Sequence, residues 1–331
     1  MLNTMQAQQS VIGVGSPIID LIAQVDEAFL TQISGDKGGM VMIDSAELER
    51  ILGLLGSNVK RSPGGSAANT LFDLAHFGVK TALLGTTGDD EAGAFYRREL
   101  TAAGGSTHAL RKSVNNTPTG HCICLVTPDA ERTMRPALAA ALEFDPGSVS
   151  QADFAGYTLA HLEGYLLAHS EEKLRFLMAT AKAAGCKISL DLASFEVVNA
   201  FRPAILRLLE EFVDIVFANS DEADALLGKL PPETQLAELK KLCPVAIVKL
   251  GERGAWADCG NGAVFIPANK VEAVDTTAAG DSFAAGFLYG YLNELPMADC
   301  GKIGAALAAE TVQVFGAALP DEAWKRLQDL L

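Results

Sequence analysis

The sequence predicts an α/β fold in which a mainly parallel sheet carries helices on both of its faces. Short runs rich in β-branched residues alternate with helical stretches along most of the 331 residues, as is typical of parallel strands joined by crossover helices. Apolar residues make up 49 % of the chain and charged residues 20 %, which supplies a large core and excludes disordered or low-complexity proteins. No linker rich in Pro, Gly or Ser separates independent domains, and we expect residues 1–331 to form a single domain.

The strands and helices of the core follow from these patterns in chain order. Short apolar runs predict buried strands at 11–15, 80–84, 159–162, 187–191, 215–218 and 245–250. Helical periodicity predicts helices at 66–77, 91–103, 171–184, 202–212 and 233–242. After residue 281 the pattern is helical to the C-terminus. The most apolar stretch, 303–319, contains polar residues, and we expect a core helix there rather than a membrane span.

Two segments interrupt this alternation. Residues 21–61 begin with alternating apolar and polar residues and become helical only after a glycine-rich stretch at 35–39. Residues 108–134 have the pattern of a strand, a turn and a strand. We expect both segments to be antiparallel additions to the parallel core, which together form a small β-rich lid over a site, while the remainder forms the large α/β core.

The charge balance argues against two classes of partner. Lys and Arg number 26 against 41 Asp and Glu, a net charge of −15, which repels nucleic acid and anionic membranes in the absence of a basic cluster. We therefore expect a small-molecule substrate. The N-terminus lacks the features of a signal peptide, and the closest cysteines, Cys122 and Cys124, lack the spacing and histidine partners of a zinc site. Free thiols in a cytoplasmic protein are expected.

Residues 275–281 (Asp-Thr-Thr-Ala-Ala-Gly-Asp) precede a predicted helix. Their small side chains leave the N–H groups of 278–281 free at the positive end of the helix dipole, which makes an anion site. Asp281 lies in the first turn, where it either accepts a proton from an attacking hydroxyl or merely stabilises the helix. The dipole predicts a lowered pKa for this carboxyl group. Because alanine disfavours positive φ, we expect an ordinary φ at Ala278.

Residues 62–69 (Ser-Pro-Gly-Gly-Ser-Ala-Ala-Asn) place a glycine pair before a helix. The glycines permit close approach of a ligand, although an ordinary tight helix entry explains them equally well. Ser66 and Asn69, three residues apart, share a helix face. Asp20 follows the first predicted strand at the carboxyl edge, where open α/β sheets bind ligands. A carboxylate there can bind two neighbouring hydroxyl groups of a sugar.

Two further motifs follow predicted strands. Asn219 and Glu222 have the spacing of a helix capping box, and residues 249–254 (Lys-Leu-Gly-Glu-Arg-Gly) have the pattern of a glycine turn or a hairpin. Two nucleotide-binding motifs are absent from the sequence. The glycines at 13 and 15 lack the third glycine of a dinucleotide fingerprint, and no Walker-type phosphate loop occurs. A nicotinamide-dependent oxidoreductase is therefore disfavoured.

Taken in order, these motifs resemble those of the ribokinase-like (PfkB) family of sugar and nucleoside kinases over nearly the whole chain. The segments are GSPIID, GGSAAN, PTG, NSDE, KLGERG and DTTAAGD, at 15–20, 64–69, 118–120, 219–222, 249–254 and 275–281. The resemblance implies a doubly wound α/β core with a β-rich lid, and transfer of a phosphoryl group from ATP to a primary hydroxyl group. A non-catalytic sugar- or nucleoside-binding relative is the alternative.

The resemblance also implies roles for individual residues. Asp281 would be the catalytic base, and the backbone amides of Ala278, Ala279 and Gly280 would form the anion hole. The acceptor would be bound by Ser16, which replaces a common asparagine, and by Asp20, Gly64, Gly65 and Asn69. ATP would contact Asn219, Lys249, Gly251 and Gly254. Glu222 would hold Mg²⁺ through water, and Asp275 and Thr277, with carbonyl groups near 312–317, would hold an activating K⁺.

The acceptor is predicted from two shorter segments. Residues 125–134 and 163–167 are most similar to the adenosine-kinase-like branch of the family. In that branch Tyr165, Met134 and Leu138 would flank a nucleobase. A free sugar such as ribose or fructose would use the same hydroxyl contacts, and we expect either a monomer or a homodimer.

Overall fold

Strands from most of the chain build two separate sheets. The structure is a computed structural model that describes residues 9–329. Its strands are β1 (Ser10–Val14), β2 (Ile18–Gln24), β3 (Lys60–Gly64), β4 (Lys80–Thr87), β5 (Leu110–Lys112), β6 (Gly120–Val126), β7 (Arg132–Ala137), β8 (Leu159–Glu163), β9 (Lys187–Asp191), β10 (Ile215–Asn219), β11 (Val245–Lys249), β12 (Ala255–Asp258) and β13 (Val264–Ile266).

Helices connect and cover these strands. They are α1 (Glu27–Leu30), α2 (Ser45–Leu55), α3 (Ser66–His76), α4 (Glu91–Ala102), α5 (Glu171–Ala183), α6 (Phe195–Glu211), α7 (Ser220–Leu227), α8 (Pro232–Leu242), α9 (Ala279–Leu292), α10 (Met297–Thr311) and α11 (Asp321–Gln328). Among the helices of residues 9–329, none has both the length and the hydropathy needed to cross a membrane.

The large sheet has nine strands in the order β13-β12-β11-β10-β9-β8-β1-β4-β5. Neighbours from β11 to β5 are parallel, whereas β12 and β13 add an antiparallel edge after β11. β1 lies inside the sheet between β8 and β4, and the strand order therefore reverses beside it. The predicted α/β fold with a mainly parallel sheet is confirmed.

Alternate residues of the parallel strands face two separate cores, because successive side chains of a strand point to opposite faces. Val11 packs into the core that contains side chains of α3, α9 and α10. Ile12 packs into the core with α5, α6 and α8. Both residues are fully buried. The predicted placement of helices on both faces is confirmed by this division.

Two predicted helices have different limits in the structure. The helix predicted at 202–212 begins earlier, at Phe195, because the Ser194 side chain accepts the N–H of Val197 and caps it. Non-helical φ and ψ at Phe201, two residues before a proline, kink this helix. The core helix predicted at 303–319 ends at Thr311, and the chain beyond it is irregular as far as α11.

The second sheet has the strand order β3-β2-β6-β7. Its two outer pairs are antiparallel, whereas β2 and β6 are parallel. The sheet takes strands from both segments that interrupt the alternation, and it extends from residue 18 to residue 137. Within the second of those segments, β5 pairs with β4 and belongs to the large sheet. The expectation that all the added strands are antiparallel is therefore corrected.

Candidate active site

A cavity of about 1340 Å³ opens at the carboxyl ends of the parallel strands. Residues that end or follow successive strands line it, namely Ser16, Glu163, Asp191, Asn219 and Lys249. The cavity lies where the strand order reverses beside β1, the usual ligand-binding position in an open α/β sheet. The second sheet and the start of α9 contribute the other walls.

Most residues that the sequence singles out share this cavity. Those that line it are Ser16, Asp20, Gly65, Asn69, Met134, Leu138, Tyr165, Asn219, Glu222, Lys249, Gly251, Gly254, Ala278, Ala279, Gly280 and Asp281. Three others, Gly64, Asp275 and Thr277, are buried outside its lining. The structure therefore brings together segments that are more than 200 residues apart in the chain, such as Ser66 and Asp281, whose separation is 215 residues.

Asp281 is held by helix α3. Its Oδ1 accepts a hydrogen bond from Ser66 Oγ at 2.8 Å, and its Oδ2 accepts one from Asn69 Nδ2 at 2.9 Å. Burial raises the pKa of Asp281 to about 6, and the charge of Asp191 acts in the same direction. The hydrogen bonds from Asn69 and Ser66 and the charge of Lys249 oppose this increase. The expected lowering of this pKa is wrong, because desolvation outweighs the helix dipole. A carboxylate with such a pKa is better matched to proton abstraction near neutral pH.

The start of α9 offers unpaired backbone donors. The Ala279 N–H donates to the Thr276 carbonyl at 3.3 Å. Within the described part of the chain, the N–H groups of Ala278 and Gly280 have no hydrogen-bond acceptor. Donors of this kind at a helix N-terminus form an anion-binding position.

Ala278 adopts a left-handed conformation with φ of +61°. The expectation of an ordinary φ at this residue is therefore wrong. The turn that leads from Asp275 into α9 imposes the conformation, and the strain costs about 1–2 kcal/mol for a residue with a Cβ atom.

Replacing Ala278 by glycine is expected to raise the free energy of unfolding by up to about 1 kcal/mol. Relief of the left-handed strain is partly offset by about 0.4–1 kcal/mol of added chain entropy in the unfolded state. Denaturant unfolding measures the change. Ala279→Gly is the matched control, because Ala279 begins the helix without a positive φ and should only lose stability. A loss of equal size in both variants would contradict the strain at Ala278.

Lys249 places a cation against the start of α9. Its Nζ lies 2.7 Å from Asp191 Oδ2, with side-chain exposures of 12 % and 5 %. A Cβ atom on Gly280 would lie 3.1 Å from this Nζ, so glycine at 280 leaves room for the ammonium group. Burial lowers the pKa of Lys249, but Asp191 and Glu222 raise it overall, and the side chain stays charged. Sequence reasoning missed Asp191, although its position at the end of a predicted strand was a usable signal.

Asn219 and Glu222 form the capping box that their spacing predicts. Asn219 Oδ1 accepts the Glu222 N–H at 2.9 Å, and Glu222 Oε2 accepts the Asn219 N–H at 2.8 Å. Burial and the nearby Asp191 raise the pKa of Glu222. Both residues also line the cavity, so a capping role and a ligand-binding role are compatible.

Asp20 lies in β2, within the second sheet, rather than at the edge of the large sheet where the sequence places it. Gly64 lies on the adjacent strand β3, two positions beyond Ser62, the register partner of Asp20, and a Cβ atom on Gly64 would overlap the Asp20 carboxylate. Burial raises the pKa of Asp20 to about 7, against the opposing charge of Arg132. Arg132, which also lines the cavity, was missed because nothing in its local sequence distinguishes it from a surface arginine.

Glu163 joins two parts of the cavity wall and was also missed. Its Oε1 accepts the Ser16 N–H at 2.8 Å, and its Oε2 accepts the Ala67 N–H at 3.0 Å. A Cβ atom on Gly15 would overlap the Glu163 carboxylate, which explains the glycine at that position. This buried carboxylate therefore fixes the loop after β1 against the start of α3.

Asp275 organises the turn behind the cavity. Its Oδ1 accepts hydrogen bonds from the N–H and Oγ1 of Thr277 at 2.9 and 2.6 Å, and its Oδ2 accepts the Gly316 N–H at 2.8 Å. The carboxylate and Thr277 are buried. The loop after α10 is thereby attached to the segment that enters α9.

The end of the cavity beneath the second sheet is mainly apolar. It is lined by Ile18, Met40, Met42, Cys122, Cys124, Met134, Pro136 and Leu138. Tyr165 faces the same cavity, and its hydroxyl donates to the Ala193 carbonyl at 3.3 Å. An apolar wall beside the Asp20 carboxylate suits a ligand with a flat apolar part joined to a polyhydroxyl part.

Known proteins have similar sequences and a similar architecture. The model of the pfkB family carbohydrate kinases matches residues 37–324. The solved structure of adenosine kinase from Sinorhizobium meliloti is 30 % identical to this chain, with a TM-score of 0.90 over 98 % of this chain and 100 % of that one. A probable sugar kinase protein from Rhizobium etli CFN 42 gives the same values. An uncharacterized sugar kinase from Archaeoglobus fulgidus is 26 % identical over 249 residues, covering 74 % of this chain and 96 % of the relative.

Proposed function

This chain belongs to the pfkB family of carbohydrate kinases, and on that premise we propose that it phosphorylates a primary hydroxyl group of a nucleoside of the adenosine type. The observation that carries the proposal is the Asp281 carboxylate. It lies in the first turn of α9, lines the cavity and is oriented by Ser66 and Asn69.

Each part of this arrangement has a separate role in the proposed reaction. The acceptor oxygen forms a bond to the γ-phosphorus of ATP while the bond from that phosphorus to the β-phosphate oxygen breaks. The hydroxyl proton passes to Asp281, and ADP leaves. The free N–H groups of Ala278 and Gly280, with the Lys249 ammonium group beside them, stabilise the charge on the phosphoryl oxygens.

The proposed ATP site follows from the other strand ends. Asn219, Lys249, Gly251 and Gly254 form the wall of the cavity next to α9, where the triphosphate would lie. Glu222 supplies a buried carboxylate there, and oxygen donors with retained water suit Mg²⁺. Glu222 would hold the ion through water, and the bound ion would neutralise phosphate charge.

The proposed acceptor site uses the second sheet. Asp20 and Asn69 would bind the sugar hydroxyls, with Ser16, Gly64 and Gly65 shaping the approach, while Met134, Leu138 and Tyr165 would flank the base. The apolar wall and the similarity to the Sinorhizobium adenosine kinase favour a nucleoside. The equal similarity to the probable sugar kinase protein from Rhizobium etli supports a free sugar as the alternative acceptor.

The acceptor preference provides the test of this function. Adenosine should be phosphorylated with a kcat/KM about 10- to 200-fold higher than that of ribose or fructose, because a free sugar leaves the apolar wall unfilled. A coupled assay for ADP formation measures the three substrates under identical conditions.

Two outcomes would change the proposal. A free sugar with a higher kcat/KM than every nucleoside would place the protein among the sugar kinases. ATP and adenosine that bind without any turnover would identify a non-catalytic relative.

We further propose that K⁺ binds beside the anion hole at Asp275 and Thr277. The Asp275 carboxylate and the carbonyl groups of 312–317 supply oxygen donors behind the start of α9, and the hydrogen bond from Gly316 to Asp275 keeps the two segments together. A cation there would add positive charge close to the transferring phosphoryl group.

Replacing K⁺ by a bulky organic cation at constant ionic strength should lower kcat, because the larger ion does not fit between these segments. The rate in the two chloride salts measures the effect, and ATP affinity is determined in both as the control. Equal kcat values would remove the cation assignment and leave the kinase assignment standing.

The second sheet is proposed to act as a lid over the cavity, within a single domain that functions in the cytoplasm as a monomer or homodimer. Its strands carry much of the apolar acceptor wall, while the base and the anion hole belong to the α/β core. All six cysteines are free thiols, which suits a reducing compartment.

A further inference from the structure

Cys122, Cys124 and Asp20 form a cluster on the cavity side of the second sheet. Cys122 and Cys124 lie two residues apart in β6, and side chains so spaced share a strand face. Asp20 in β2 is paired in register with Cys122. The three ligand atoms lie within 4.8 Å of one another, and all three residues are buried. Each of them also lines the cavity.

The spacing of the two sulfur atoms matches a tetrahedral metal site. Cys124 Sγ lies 3.8 Å from Cys122 Sγ. Two thiolates that bind Zn²⁺ at about 2.3 Å with a tetrahedral angle are separated by about 3.8 Å. The sulfur atoms therefore already have the separation that such an ion requires, without rearrangement of the strand.

We propose that Cys122, Cys124 and Asp20 bind a thiophilic divalent cation such as Zn²⁺ or Cd²⁺, with the fourth coordination position open to the cavity. Binding replaces the two thiol protons, and the proton of Asp20 where that group is protonated, and releases them to solvent. No oxidation is involved. Sequence spacing missed this site because its third ligand comes from a strand about a hundred residues earlier in the chain.

The charge of the surroundings is compatible with this assignment. Two thiolates, one carboxylate and a divalent cation carry a net charge of −1. Arg132 lies close enough to act electrostatically on both Asp20 and Cys124, and its positive charge balances the cluster. Mg²⁺ and K⁺ prefer oxygen donors, so the cations of the kinase reaction would not compete for the sulfur atoms.

Occupancy of this site would exclude the acceptor, a consequence that rests on the proposed function. Asp20 is the group proposed to bind the acceptor hydroxyls, and Met134, which pairs with Cys124 across β6 and β7, belongs to the proposed base pocket. A metal ion bound there would occupy the space that the acceptor hydroxyls need at Asp20 and that the base needs beside Met134. Zn²⁺ should therefore inhibit competitively against the acceptor and not against ATP.

The metal site is tested first without any reaction. Equilibrium dialysis with Cd²⁺, in the absence of ATP, should give one tightly bound ion per chain, and Co²⁺ should give a sulfur-to-metal charge-transfer band. In the Cys122→Ser/Cys124→Ser double variant the band should disappear. Its Cd²⁺ affinity should fall by more than about 100-fold, since changes outside the ligand shell alone cost about 10- to 100-fold. Thermal unfolding of each variant verifies that it is folded.

Cys259→Ser is the matched control, because Cys259 is a half-buried thiol outside this cavity, and it should leave Cd²⁺ binding unchanged. A folded double variant that still binds one Cd²⁺ with the parent affinity would overturn the site, as would a parent protein without the charge-transfer band.

Adenosine and ribose are then tested for displacement of Cd²⁺. Failure of both to displace it would overturn the exclusion of the acceptor. A protein without kinase activity would refute the proposed function, while the dialysis result would still decide the metal site.

Discussion

Asp281→Asn is expected to lower kcat by roughly 10²- to 10⁴-fold, the usual contribution of a general base. The substitution keeps the size of the side chain but removes the proton acceptor and its negative charge. Ser66 can still donate to the remaining carbonyl oxygen. Asn69 Oδ1 has no hydrogen-bond partner in the described structure, and a rotated Asn69 amide can therefore accept from the introduced NH₂ group. The local hydrogen bonds are thus preserved while the chemistry is lost.

The same substitution, which lowers kcat, is expected to increase the stability of the fold. The folded-state pKa of Asp281 is raised to about 6 by burial, so the ionised carboxylate destabilises the fold as pH rises through that value. Removing it should increase the free energy of unfolding at pH 8, with little change at pH 4, where the group is protonated in the parent as well. ATP affinity should be unchanged or tighter, because a negative charge beside the phosphates is removed.

Asp73→Asn is the matched control for this experiment. Asp73 is another buried carboxylate between α3 and α9, and it lies in α3. It accepts a hydrogen bond from Ser282 Oγ at 2.7 Å but does not line the cavity. Its variant should retain kcat within a few-fold. Melting temperature, ATP binding and kcat are measured on the same preparations. Turnover of Asp281→Asn within tenfold of the parent would refute the assignment of the base.

Gly65→Ala is expected to reduce kcat/KM by about 100-fold and the free energy of unfolding by about 2–4 kcal/mol. Gly65 has a φ of +101°, and a Cβ atom there would overlap the Ser16 carbonyl oxygen. The left-handed conformation costs about 1 kcal/mol and the overlap about 1–3 kcal/mol more. Relief of the overlap moves the start of α3, which carries Ser66 and Asn69. A displacement of about 1 Å at reacting groups costs about 100-fold in rate.

Gly78→Ala separates the two causes. Gly78 has a similar φ of +80° but has open space where a Cβ atom would be placed. This variant should lose about 1 kcal/mol of stability and keep its kcat/KM. Kinetics and denaturant unfolding of both variants provide the comparison. If the two alanine variants behave alike, the close approach of Gly65 to Ser16 does not control the site.

The sequence contains enough information to place the main parts of the site. Buried strands are recognisable from apolar runs, and polar residues that follow them, such as Asn219 and Lys249, meet at one sheet edge because parallel strands all end there. The small residues before Asp281 predict a helix start with free N–H groups. Each of these inferences depends only on residues that are close together in the chain.

The features that sequence reasoning missed depend on distant segments. Glu163 acquires its role only when Ser16 and Ala67 are brought against it. Burial between α3 and the strand ends raises the pKa of Asp281, whereas the local helix dipole alone predicts a lowered pKa. The left-handed Ala278 belongs to a turn that is joined to a distant segment by the hydrogen bond from Gly316 to Asp275. None of these contacts leaves a local pattern.

The position of β1 within the large sheet has a consequence for synthesis on the ribosome. β1 pairs with β4 on one side and with β8 on the other, so β1, the first of the described strands, keeps one unpaired edge until residues 159–163 have emerged. The strands up to β13 are complete by residue 266, before α9 and Asp281 are available. At about 5–20 residues per second, the nascent chain therefore passes through a period of seconds in which most of the sheet can form while Asp281, the proposed base, is missing. Under the proposed mechanism, the growing polypeptide cannot transfer a phosphoryl group from ATP until the segment that carries Asp281 has emerged and packed against α3.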